Sequence, residues 1–105
     1  MLVVTTPTLE GYPIKQYLGM VSGETIQGVN VVKDIGASLS NFFGGRAGSY
    51  EGELQEAART AVGEMCGRAE QMGANAVVGV HVDYFTAGTD NGMLAAIATG
   101  TAVII

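Results

Sequence analysis

The chain has 105 residues, of which 48% are hydrophobic and only 14% charged, with a formal net charge of −5. Its five basic residues (Lys15, Lys33, Arg46, Arg59 and Arg68) are scattered through an acidic chain, which excludes the basic stripe of a nucleic-acid surface. No run of about 20 apolar residues exists to span a bilayer, and the N-terminus has neither the basic region nor the apolar core of a secretory signal.

Met1 to Thr6 has the β-branched content of a short strand, and Pro7 ends it or places it at an edge. Leu9-Glu10-Gly11 reads as a turn. Ile14 to Gly23 reads as a strand, with Ile14, Leu18 and Met20 on one face and Tyr17 and Val21 on the other. A first helix is expected from Asn30 to Phe43: Asn30 suits the N-cap, Ile35, Leu39 and Phe42 recur at helical spacing, and Gly44 suits the C-cap.

The clearest element is a second helix from Tyr50 to Met72. Leu54, Ala57, Ala58, Ala61, Val62, Met65, Ala69 and Met72 form its apolar stripe, Ser49 is the natural N-cap and Gly73 supplies the stop. The pattern then changes to period two. Ala76, Val78, Val80, Val82 and Tyr84 are expected on one face of a strand, and Val77, Gly79, His81, Asp83 and Phe85 on the other. Asp90-Asn91-Gly92 signals a turn. The last strand covers Met93 to Ile105, with Ala96, Ala98, Gly100 and Ala102 on a side that lets a helix come close, and Ile97, Val103 and Ile105 on the other.

The order of elements specifies one α+β domain over residues 1–105, an antiparallel sheet packed by one long helix plus a shorter helix. A covering helix hides one sheet face, and the other is too apolar for a monomer to leave in water. Soluble domains carry about 25% charged residues, so the apolar surplus points to contacts between copies of the chain. Cys66 is the only cysteine, which leaves no internal disulfide and no zinc-finger spacing and fits a reducing cytoplasm.

Three stretches, TTPTLEG at 5–11, GGRAGSYE at 44–51 and GANAVVGVHVDY at 73–84, together with GTAV at 100–103, resemble the bacterial YbjQ-like family. That family is also labelled a heavy-metal-binding domain. The resemblance spans nearly the whole chain. It implies a dodecin-like subunit that assembles into a ring-shaped homopentamer, and it implies no defined activity.

The chemistry is bounded by residue counts. Soft metals take several thiolates or imidazoles at one site, and this chain has one cysteine and one histidine. His81 and Asp83 fall on the same side of one strand and form the candidate metal pair, a weak one, with a polar pair in a subunit contact as the plainer reading. No Ser-His-Asp set can be assigned, and GGRAGSYE lacks the GK[ST] ending of a phosphate loop.

Gly44, Gly45, Arg46, Gly48, Ser49, Tyr50 and Glu51 could still hold an anion at a helix start. The competing acids at Glu51 and Glu53 favour a structural corner. The expected protein is a cytoplasmic homo-oligomer of undefined role, binding itself and neither nucleic acid nor membrane, with a small ligand or metal held in the ring. The alternative is an enzyme whose site is completed across subunits around Arg46, Tyr50, Glu51 and His81.

Overall fold

A computed structural model of the chain describes residues 1–28, 48–87 and 93–105. Its elements are β1 (Leu2–Val3), β2 (Gln16–Gly28), α1 (Gly48–Gln71), β3 (Ala76–Ala87) and β4 (Met93–Ile104). The expected helix over 30–43 and the turn at 90–92 lie outside the described residues.

The four strands form one sheet in the order β1-β3-β4-β2. It is mixed rather than purely antiparallel. β2, β4 and β3 run antiparallel to one another, while β1 joins β3 in parallel through Leu2↔Ala76 and Val3↔Val77. β4 is therefore a central strand, flanked on both edges, and its sequence MLAAIATGTAVI carries no charge. A strand with both edges paired and much of both faces covered leaves no water for one.

α1 lies against β2, β4 and β3 and buries a narrow stripe, Ala57, Ala61, Met65 and Ala69, each four residues after the last. Leu54 and Val62 flank that stripe half-buried, and Met72, expected within it, is exposed. The helix ends as Gly73 predicts. With Gly73 at φ 93°, its N–H donates to the Glu70 carbonyl at 2.9 Å and the Ala74 N–H to the Ala69 carbonyl at 3.0 Å. These are the two bonds of a Schellman cap, closed by contact of two buried alanines. At the other end the helix starts at Gly48, which places Ser49 in its first turn rather than at the cap.

The facing of two strands differs from strict alternation, for one reason at two places. In β2 the register shifts between Tyr17 and Gly19, and Gly19 takes φ 119°. In β3 it shifts between Val78 and His81, with Gly79 at φ 62°. Each shift is a β-bulge, an extra residue that turns over the facing of everything beyond it, and its positive φ suits glycine. Val21 and Leu18 consequently pack toward the helix, while Tyr17 and Met20 share the opposite face. Val77, Val80 and Val82 face the helix, and Ala76 and Val78 do not. In β4, which has no bulge, Ala96, Ala98, Gly100 and Ala102 face the helix as expected.

The core is thus split by the sheet. The helix side contains Val21, Val77, Val80, Leu94, Ala96, Ala98 and Ala102 with the alanine stripe and Met65. On the far side Ala76, Val78 and Val103 are covered by Val4, Leu9 and Ile14 of the N-terminal segment and by Ile105. That segment is held by the turn in which the Tyr12 N–H donates to the Leu9 carbonyl at 3.1 Å, with Gly11 at φ 83°. It is held also by backbone bonds from Val4 to Val77, from Gly79 to Thr6 and from Val80 to Val4. Among the described residues nothing covers the rest of the far face.

Candidate functional site

The bare face is best described as rungs running across β2, β4 and β3. In register these are Met20–Thr101–Val78, Ser22–Thr99–His81, Glu24–Ile97–Asp83 and Ile26–Ala95–Phe85. Of its apolar members Val78 and Ala95 are buried, whereas Met20 is 84% exposed, Ile26 61% and Phe85 50%, with Tyr17 at 65% beside them. Polar groups occupy the middle two rungs. The bulge at Gly79 returns His81 to this face, and period two adds Asp83.

His81 Nε2 lies 3.0 Å from Asp83 Oδ1, and both side chains are mostly exposed. That spacing suits a hydrogen bond, and equally two donors of one ion. Among the described residues no group of three His, Cys, Asp or Glu comes together. One chain therefore offers two donors, short of the three or four of a tight zinc site. Cys66 cannot supply the third. It sits on α1, half-buried against the helix-side core, with the sheet between it and His81.

That placement also disposes of a cysteine nucleophile paired with the only histidine. Burial, and then the nearby Glu70 carboxylate, push the Cys66 thiol above its ordinary value. A raised folded pKa means the neutral thiol is the favoured form, stabilising the fold below the unfolded pKa and losing that contribution as pH rises through the folded one. We expect iodoacetamide at pH 8 to alkylate Cys66 several-fold more slowly in the native protein than in the same protein unfolded in urea. Equal rates would show that the thiol is open.

The strongest polar contact joins helix and sheet. Arg68 Nη1 and Nη2 donate to Glu24 Oε2 and Oε1 at 2.9 and 2.8 Å, a bidentate pair, and Nη1 also donates to the Ser22 carbonyl at 3.0 Å. No local sequence signal could have found it, since 44 residues separate the partners. The guanidinium holds the Glu24 carboxyl below the usual range, chiefly through the hydrogen bonds. A depressed carboxylate stabilises above the unfolded value of about 4.3 and loses that effect as pH falls through the folded one. The deficit of Glu24→Gln in urea midpoint, present at pH 7, should vanish once the parent's Glu24 is protonated. A deficit unchanged at low pH would contradict it. Arg68 also borders a shallow groove of about 280 Å³ with Gly63, Glu64, Gly67 and Gln71, but its guanidinium is already committed.

Of GGRAGSYE, Gly44, Gly45 and Arg46 lie outside the described residues. Gly48, Ser49 and Tyr50 form the start of α1, followed by Glu51 as the acid of the first turn. Within one chain the sheet separates α1, which carries Glu51, from the face bearing His81.

A long helix on one face of a mixed four-stranded sheet, with exposed apolar side chains on the opposite face, defines an α+β fold. The chain belongs to the YbjQ-like family, whose model, described as "Putative heavy-metal-binding", matches residues 1–105. It is 59% identical over 103 residues to a UPF0145 protein of Clostridium botulinum (strain Eklund 17B / Type B), covering 98% of this chain and 97% of that one. It is 56% identical over 105 residues to a UPF0145 protein of Bifidobacterium longum (strain DJO10A), covering 100% and 96%. A crystal structure of a protein of unknown function in the DUF74 family from Pediococcus pentosaceus matches with a TM-score of 0.61 at 14% identity, over 100% of this chain and 97% of that one. The last likeness is one of fold.

Proposed function

We propose that the protein works as a homo-oligomeric ring in the cytoplasm, a pentamer of dodecin-like subunits, and that the ring holds a weakly bound metal ion or small ligand at the His81–Asp83 face. The observation that carries this reading is the bare face itself. Tyr17, Met20, Ile26 and Phe85 stand exposed on a chain with 14% charged residues, and a monomer would not keep such a face in water. No described helix is long and apolar enough to cross a membrane.

Two donors per chain make a closed metal site only if neighbouring subunits contribute their own, which a symmetric ring provides for. The family description, as a heavy-metal-binding domain, agrees with that use. His81 and Asp83 would then act as paired ligands, weak singly and stronger in repetition.

Native mass spectrometry of the purified protein tests both parts. A pentamer is expected, dissociating or aggregating in Tyr17→Asp and Ile97→Asp, where a buried unpaired charge would sit in the contact. Added Zn²⁺ should appear as extra mass on the parent and not on His81→Ala. A stable monomer refutes the ring, and equal zinc uptake by parent and His81→Ala refutes the site.

A further inference from the structure

β2 is the outer strand of the sheet, with β4 on one side and no strand on the other among the described residues. At 13 residues it is about twice the usual length of five to six. A free edge that long offers a row of unpaired N–H and C=O groups onto which another chain can add a strand.

One contact interrupts that row near its middle. In an antiparallel ladder the N–H and C=O of a residue point to the same side, and successive residues alternate. The Ser22 carbonyl accepts a hydrogen bond from Arg68 at 3.0 Å, so Ser22 presents its backbone groups outward, away from β4. The arginine comes from α1, crosses the sheet edge and is fixed there by both oxygens of Glu24. Its guanidinium stands where the N–H of an added strand would have to be. Glu24 places a charge beside it on the same strand, the other common means of spoiling an edge.

We propose that Arg68, held by Glu24, is an edge guard that keeps β2 from pairing with a strand of a second copy of this chain. The claim concerns the sheet edge, and so stands apart from ring contacts made through the bare face.

The test compares Arg68→Ala, Arg59→Ala and the double variant Arg68→Ala/Ser22→Pro with the parent, by sedimentation velocity and thioflavin T fluorescence. Arg59 pairs with Glu56 at 3.6 Å on the exposed side of the same helix, so its loss changes net charge equally without touching the edge. Proline at 22 removes an outward N–H and leaves the β2–β4 ladder intact. Arg68→Ala should give concentration-dependent larger species and a several-fold rise in dye signal while keeping the parent's far-UV spectrum. It should do so although its net charge is more negative, which opposes association. Arg59→Ala should match the parent, and Ser22→Pro should return the size distribution of Arg68→Ala toward the parent's. Parent-like behaviour of Arg68→Ala, equal growth of Arg59→Ala, or failure of the proline to suppress growth overturns the proposal. Should Arg68→Ala lose its far-UV spectrum, Glu24→Gln takes its place. Its unanchored arginine should give slower growth of the same kind, and no growth counts against the guard. A monomeric parent would refute the ring without touching these outcomes.

Discussion

Gly23→Ala is expected to destabilise the protein by about 3 kcal/mol, the upper end for an inserted methyl group that cannot be accommodated. A Cβ at Gly23 would overlap the Ala61 carbonyl oxygen and the Met65 amide nitrogen, which are helix backbone and cannot rotate away. α1 would have to lift off the sheet, loosening the contact that buries the alanine stripe. Urea titration of parent and variant at matched protein concentration, read as a shift in midpoint at constant slope, measures the loss. A change within experimental error would mean that the helix rides higher on the sheet than described. By contrast Gly52, also a helix residue, has open space around its position, so Gly52→Ala should stabilise or leave stability unchanged.

Met65→Ala is expected to cost about 2 to 5 kcal/mol, the range for emptying a fully buried long side chain. Met65 is the largest side chain sealed between helix and sheet, at 0% exposure, and its neighbours on the helix stripe are alanines. Alanines have no rotamers with which to fill the void. Met65→Leu, which keeps the volume, should cost under about 1.5 kcal/mol. The same titration separates the two, and equal losses for both variants would point to a role for the thioether other than filling space.

The two cases show what the sequence makes legible. The long helix was readable because its apolar positions repeat four residues apart and Gly73 ends it, and the structure places it at Gly48–Gln71. β4 was readable because it has no bulge, so its small residues stay on the helix side throughout. β2 and β3 were misread beyond Gly19 and Gly79. Strict alternation was carried through glycines whose positive φ inserts an extra residue, although glycine inside a strand is itself a warning of a bulge. The parallel pairing of β1 and the folding of Val4, Leu9 and Ile14 over the far face leave no periodic trace, since they depend on contacts distant in sequence.

His81 and Asp83 share one side of β3 and lie in contact, because both follow the bulge and keep their mutual spacing. What the pattern could not supply was their separation from Cys66 by the sheet. The Arg68–Glu24 contact was hidden for a further reason. In a helical wheel Arg68 lies off the apolar stripe and reads as solvated, whereas a helix lying at a sheet edge lets such a residue reach the outer strand.

The central position of β4 has a consequence for biosynthesis. β2, α1 and β3 leave the ribosome before it, yet the sheet pairs neither β2 with β3 nor either with anything long except β4. Until β4 emerges, two long strands wait without their hydrogen-bonding partner, and the helix has only their disconnected surfaces to lie on. Completion of the fold therefore waits for β4, which pairs locally with β3 but meets β2 only through contacts distant in sequence, the kind that form slowly. During that interval the nascent chain is at its most vulnerable to association with its neighbours on a polysome.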